Sequence, residues 1–182
     1  MVEQQPYAVQ LKQAATLKPY DRNARVHSRE QLDQLKALIR LVGFTNPVLA
    51  DERGIIAGHG RTTAALEMYA AGEVIHGPGK RYKLPPGSVP VIDASGMTEE
   101  ERRAYILADN AVAINASWDE GVVRSELHSL AALDFNLSLT GFTPSGLAEL
   151  MNVETPPATV SFTPKPKGKT VTCPKCQAEF KP

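Results

Sequence analysis

Apolar residues along the chain change their period several times, and each change marks an element. Leu32, Leu35, Leu38, Ile39 and Val42 recur at helical spacing, so residues 29–41 read as an amphipathic helix whose apolar face is core. Ser28 and Gln31 have the spacing of a capping box at its start, and Gly43 suits its end. Two short apolar runs follow, Pro47-Val48-Leu49-Ala50 and Ile55-Ile56-Ala57. They predict a hairpin through Asp51-Glu52-Arg53-Gly54, with glycine where a positive φ is needed. Residues 62–71 return to helix-forming composition, with Ala64, Ala65 and Met68 inward. Val89-Pro90-Val91-Ile92 gives another strand, whose proline points to an edge or a terminus. Thr98 and Glu101 repeat the capping-box spacing and open a helix through Leu107 and Ala108 that ends at Asp109-Asn110. A further helix starts at Trp118-Asp119-Glu120 with Val122, Val123, Leu127 and Leu130 on one side, and its tryptophan reads as a packing anchor. An extended connector over 135–142 leads to a last helix from Pro144 to Met151, with proline in its first turn.

Between the hairpin and the second helix the pattern also carries chemistry. Gly54 through Leu66 reads as strand, glycine-rich corner and helix start. Gly58 and Gly60 let the backbone turn with positive φ, the first N–H groups of the helix have no internal partners, and Arg61 adds a fork of donors. That is the layout of an anion site, and phosphate is its natural guest. The competing reading is an ordinary strand-to-helix turn whose arginine pairs with a carboxylate. Asp109 and Asn110 together offer a carboxylate and an amide oxygen, donors that suit Mg²⁺ bridging phosphates to protein; simple helix termination accounts for them equally well. The Gly/Pro-rich loop over 77–87 brings Lys80, Arg81 and Lys83, read as solvated charge or as contacts to DNA or to outer nucleotide phosphates.

The corner Gly58-His59-Gly60-Arg61-Thr62-Thr63-Ala64 resembles the second box of the ParB family, a Gly-x-x-Arg-x-x-Ala element. Sulfiredoxin shares that fold and carries its catalytic cysteine at this corner; His59 stands here instead, which argues against thiol chemistry. Leu17 to Arg25 resembles the family's first box, an extended segment with Pro19, Asn23 and Arg25. Segment by segment, 43–48, 107–110, Trp118-Asp119 and Thr140-Gly141-Phe142 resemble stand-alone ParB-like domains of phages and of DNA methyltransferase neighbourhoods, and the likeness covers most of 15–150. It implies an α+β fold, a small ParB N-terminal/sulfiredoxin-like sheet with flanking helices, followed by a helical segment and a flexible C-terminal tail. It also implies that Gly58, His59, Gly60, Arg61, Thr62 and Thr63 hold the phosphates of CTP or ATP, while Asp109 and Asn110 hold Mg²⁺ and Asp109 serves hydrolysis. Asp109 stands where the family usually has Glu, and Ala111 and Val112 where Gln and Arg follow, which puts hydrolysis in question. Nuclease and small-molecule kinase activities on the same scaffold make Glu30 a candidate acid/base. His59 could act as base or, more in keeping with a glycine corner, as donor to phosphate.

Composition sets the remaining limits. With 182 residues, 42% hydrophobic, there is apolar material for one sizeable core plus ends that need not join it. The expected organisation is an N-terminal extension (1–14), a ParB-like domain with helical extension (15–151), a Pro-rich linker (152–170) and a Cys-x-x-Cys knuckle (171–182). Twenty basic and twenty acidic residues give zero formal net charge, so DNA contact should be local or partner-mediated, not bulk electrostatics. No run has the length of a membrane span and the N-terminus lacks signal-peptide features, which predicts a cytoplasmic protein without membrane partners. Cys173 and Cys176 supply two of the four ligands a structural Zn²⁺ needs, so two tails could share one ion and form a homodimer; free thiols are the alternative. No helix-turn-helix is apparent after residue 150. Three functions follow in order: a nucleotide-dependent DNA-associated switch or clamp, a non-enzymatic adaptor for a DNA methyltransferase or other DNA-processing partner, and a nuclease or kinase.

Overall fold

In the computed structural model, which describes residues 8–152, 171–172 and 179–180, a mixed four-stranded sheet carries the site. Its strands are β1 (Val9–Gln13), β2 (Val48–Asp51), β3 (Gly54–Ala57) and β4 (Ser88–Asp93), in the order β1-β4-β2-β3. β2 and β3 form the expected hairpin, with Gly54 at φ 135°. β4 runs parallel to β2 and antiparallel to β1, from Val9 opposite Ile92 to Gln13 opposite Ser88. Two features of the sheet depart from the sequence reading. Residues 9–13, expected within an extension, form an edge strand. Pro90 lies in an interior strand, not at an edge; β2 pairing begins only at Val91, so Pro90 has a partner, Leu11, on the β1 side alone. The missing N–H is therefore tolerated.

Alternating side chains of the sheet face opposite layers. Val48, Ala50, Ile55, Val89 and Val91 pack with Ile39 of α1 (Arg29–Val42) and with Ala64, Ala65 and Met68 of α2 (His59–Ala70). Leu49 and Ile56 belong to a second cluster with Ile106 of α3 (Glu99–Asn115), Ala94, Met97 and Tyr20. Burial of these side chains, worth about 1.5–3 kcal/mol for a large one, sets both layers. α1 starts as expected, the Ser28 hydroxyl accepting from the Gln31 N–H at 3.2 Å, and ends at Gly43 with φ 88°. Lys36 and Arg29 reach Glu67 at 2.9 and 3.0 Å and tie α1 to α2. At the start of α3, Thr98 and Glu101 form the full capping box. That helix continues to Asn115, so Asp109 and Asn110 lie within it and do not end it. The alanine-rich run from Ala108 to Ala116 supports this continuation.

One buried ion pair fastens α3 to the sheet. Arg102 is almost wholly buried, its Nε 3.3 Å from Oδ2 of the fully buried Asp51 carboxylate, and its guanidinium lies 4.6 Å from the centre of the Tyr20 ring. The contact is coulombic more than directional, since Nε and Nη2 have no well-aligned acceptor. Asp51 is better served: the N–H groups of Arg53 and Gly54 donate to its Oδ1 at 2.9 and 3.1 Å, and Arg53 caps its other oxygen. Burial pushes the Asp51 carboxyl up, and the Arg53 and Arg102 guanidiniums outweigh that and hold it below the usual range.

The described residues divide into two units, one running to Trp118 with Asn136–Thr143, the other comprising Asp119–Phe135 and the residues from Pro144 on. In the first, residues 137–140 form a 3-10 turn, not an extended connector, opened by Asn136 accepting from the Ser138 N–H at 3.1 Å. Trp118 is 73% exposed and meets Phe142 with ring centres 5.7 Å apart, so it is not the core anchor expected of it. The second unit holds α4 (Glu120–Ala132), capped by Asp119, and α5 (Pro144–Asn152). Leu127 is its buried contact, and Arg124 Nε donates to the Leu150 carbonyl at 3.0 Å. β5 (Val171–Thr172) and β6 (Glu179–Phe180) pair antiparallel. Cys173, Cys176 and the 153–170 segment lie outside the described residues.

Asp51→Ala should leave Arg102 buried without a counter-ion and lower stability by about 3–5 kcal/mol in urea unfolding. Arg102→Met, which leaves Asp51 paired with Arg53 and removes a poorly partnered charge, should lower it by less than about 1.5 kcal/mol in the same measurement.

Candidate functional site

The corner folds as a strand end running into a helix. Gly58 ends β3 with φ 101°, a left-handed conformation that favours glycine, and its carbonyl accepts the Thr62 N–H at 2.9 Å. No side chain caps α2, so the N–H groups of its first turn have no side-chain partner at the cap. Gly60 is a glycine for a different reason from the one expected. It is helical, and a Cβ there would lie 2.8–3.0 Å from the His27 ring, which packs directly on it.

The cleft above the corner has a volume of about 290 Å³. Four segments line it: Asn23, Arg25 and His27 from the stretch before α1, Gln31 and Leu35 from α1 itself, Ile56 to Arg61 at the corner, and Asp109, Asn110 and Ala113 from α3. Arg61 carries a buried Nε with no hydrogen-bond partner. Burial pushes its guanidinium pKa down while the Asp109 carboxylate pulls it up, so the pair interact without forming an ion pair. Arg25 is held by its own backbone: its N–H donates to Asn23 Oδ1 at 3.2 Å and its carbonyl accepts from Asn23 Nδ2 at 3.1 Å. From there its Nη1 donates to Asn110 Oδ1 at 2.8 Å, and Asn110 Nδ2 in turn donates to the Ile106 carbonyl at 2.8 Å.

His59 Nε2 accepts the Tyr20 N–H at 3.3 Å, which places the neutral ring's proton on Nδ1. Burial lowers its pKa, with His27 and Arg102 adding to the effect. The imidazole is therefore a neutral wall of the cleft and a fixed point for the Tyr20 segment.

The expected site residues thus separate into two groups. Gly58, His59, Gly60, Arg61, Asp109 and Asn110 come together. Thr62 does not join them, its buried hydroxyl donating back to the Gly58 carbonyl at 3.0 Å, nor does exposed Thr63. Glu30 lies in the exposed first turn of α1, outside the cleft lining. Backbone hydrogen bonding there, then the Ser28 hydroxyl, hold its pKa below the usual range, which disfavours proton abstraction. Asn23 and Arg25 were visible in the sequence as first-box residues, but nothing in their spacing placed them opposite Asp109. As metal donors, the Asp109 carboxylate accepts from the Tyr105 hydroxyl at 3.5 Å through Oδ1, whereas the Asn110 amide is engaged at both ends. Among the described residues no three His, Cys, Asp or Glu side chains cluster as a metal site. Among them, too, no helix is long and apolar enough to cross a membrane.

Comparison with known proteins bears on both units. The family model of the ParB-methyltransferase HTH domain matches residues 123–174. Over 88 residues the chain is 49% identical to the ParB-like nuclease domain-containing protein YnaK of Escherichia coli K12, an overlap of 48% of this chain and 83% of that protein. Among solved structures it is similar to the C-terminally truncated chromosome-partitioning protein ParB from Caulobacter crescentus, determined in complex with CTP-gamma-S. That likeness has a TM-score of 0.51 and 16% identity over 79% of this chain and 70% of the other, and it speaks for the fold. The HTH match begins inside α4, the helix that its apolar spacing assigned to packing. A helix of an HTH domain and any other packing helix share the same period, so the pattern alone could not tell them apart.

Because the folded His59 pKa lies below its unfolded value, the unfolded chain takes up the proton first as pH falls. Stability should be full above about pH 6.5 and decline below it toward the lowered folded pKa. Urea unfolding midpoints at neutral and mildly acidic pH should show this fall. His59→Gln, which keeps an acceptor for Tyr20 but cannot titrate, should flatten it.

Proposed function

Because the chain belongs to the ParB-like family, we propose that it is a DNA-associated protein whose Gly58–Arg61 cleft binds the phosphates of a nucleotide, CTP or ATP, and uses that binding as a switch. The observation that carries this reading is the buried, unpartnered Nε of Arg61 beside an uncapped helix start. An orphaned buried donor costs about 1–3 kcal/mol, and a phosphate oxygen would offset it. The polar groups of the cleft come from four chain segments, so a ligand that contacts several of them would join those segments. The similarity to a ParB structure determined with CTP-gamma-S is in keeping with nucleotide as the ligand.

DNA association rests on the second unit. The segment matched by the ParB-methyltransferase HTH domain supports a local reading of DNA through residues 123–174, in keeping with a chain of zero formal net charge. The same match favours one further reading, an adaptor that brings a DNA methyltransferase or similar enzyme to its site. Nuclease activity, suggested by the name of the YnaK relative, gains little from the cleft, since Glu30 is not part of it. A lone Asp109 leaves binding better supported than hydrolysis.

Calorimetric titration with CTP, ATP and GTP tests the switch. One nucleotide should bind, and Arg61→Ala should weaken it at least about tenfold, the worth of a charge-assisted hydrogen bond. Failure of every nucleotide to bind would remove the switch and leave the adaptor. For DNA, anisotropy of a labelled duplex should report binding by the full chain that weakens steeply as salt rises.

A further inference from the structure

Two guanidiniums and one carboxylate face the space above the corner, and the usual helper of a bound triphosphate, a divalent cation, has little to hold it. Mg²⁺ demands near-octahedral oxygen ligation and is bound through one or two carboxylates together with phosphate oxygens and water. The oxygen donors of α3 that line the cleft are the Asp109 carboxylate and the Asn110 amide. Asn110 is spent: Oδ1 accepts from Arg25 Nη1 and Nδ2 donates to the Ile106 carbonyl, both at 2.8 Å. Turning Oδ1 to a metal while Arg25 stays would set a guanidinium and a dication against one oxygen, and turning the amide over would present N–H donors to the metal. Arg25 is not loose enough to yield cheaply, because Asn23 holds its backbone N–H and carbonyl.

Resting on the reading of the cleft as a nucleotide site, we propose that it binds the phosphates without a divalent cation, with Arg25 and Arg61 supplying the charge that the metal would otherwise bring. Each guanidinium can present a planar pair of donors to phosphate oxygens. Arg25 gives one N–H to Asn110 and keeps others for a ligand. Arg61 already holds a buried Nε without an acceptor. The first-turn N–H groups of α2 complete an all-donor cradle. In such a cradle Asp109 is a like charge to the phosphates and opposes binding, whereas at a metal site it would be the main ligand. The sign of its effect separates the two arrangements.

The test is calorimetric titration of the full chain with CTP and with ATP, in excess Mg²⁺ and in EDTA, for the wild type and Asp109→Asn. The expected result is an affinity in EDTA within about threefold of that in Mg²⁺, and Asp109→Asn binding more tightly by about threefold or more in EDTA, as removal of a nearby like charge requires. Asp109 is exposed on α3, so this substitution should leave the thermal melt unchanged. Arg25→Gln should weaken binding at least about tenfold in EDTA. Binding seen only in Mg²⁺, or weakened tenfold by Asp109→Asn, would overturn the inference and leave nucleotide binding standing. No binding in either buffer would overturn both.

Discussion

The Asp51–Arg102 ion pair is the contact on which the site depends. Asp51 ends β2 and Arg102 lies in the first turn of α3, so the pair sets where that helix crosses the sheet. Asp109 lies seven residues beyond Arg102, about two turns along the same helix face, and this brings it over the Gly58 corner at the far end of β3. Tyr20 stacks on Arg102 and gives its backbone N–H to His59, so the same pair also locates the segment that leads to Asn23 and Arg25. The α3 wall of the cleft and the segment carrying Asn23 and Arg25 are both referred to one buried charge pair. A hydrophobic pair of equal volume could give as much stability; what a pair of charges adds is a defined partner, and with it a defined helix position.

The cleft is built from groups that are individually under-satisfied. Arg61 has a buried donor without an acceptor, α2 has no side-chain cap, and Asp109 and Arg61 feel each other's charge without closing into a salt bridge. In a core these would be faults. Together, at the rim of a well-packed sheet, they form a preorganised set of polar groups that an anion would satisfy. The layer beneath, Ala64, Ala65 and Met68 against Val48 and Val91, is apolar and tightly buried, so the corner has little freedom to collapse onto itself and satisfy its own donors.

Elements with strong local signals were legible from the sequence. The first helix, the hairpin, the corner and both cap sites at Ser28 and Thr98 fall where spacing and capping residues put them, because caps and periodicity are local physics. β1 was not legible: Val9-Gln10-Leu11-Lys12-Gln13 is too short and polar to announce a strand, and it becomes one only because β4 offers an edge. Pro90 misled in the opposite direction, since its tolerance depends on where β2 begins. α3 was read as ending at Asp109-Asn110 because polar pairs often stop helices, yet Asn110 bonds back to the Ile106 carbonyl and the helix runs on. At the site, the corner residues and Asp109 were legible as chemistry. The pairing of Arg25 with Asn110 joins residues 85 apart in the chain and had no signature that spacing could reveal.

That long-range hydrogen bond also bears on how a ligand could be felt elsewhere in the first unit. The Arg25 segment and the C-terminal half of α3 are joined in the cleft by the Arg25–Asn110 bond, while α3 from Leu107 to Ile114 is largely exposed. The half of the helix near Arg102 is fixed by burial; the half beyond Asn110 is held by few contacts. A ligand bonded to the remaining Arg25 N–H groups would leave the Arg25–Asn110 bond in place and give the same guanidinium a second partner. It would therefore reinforce the tie between the Arg25 segment and the exposed half of α3. A ligand at the corner would in this way be connected to α3 through a single arginine, with no change required in the packed sheet.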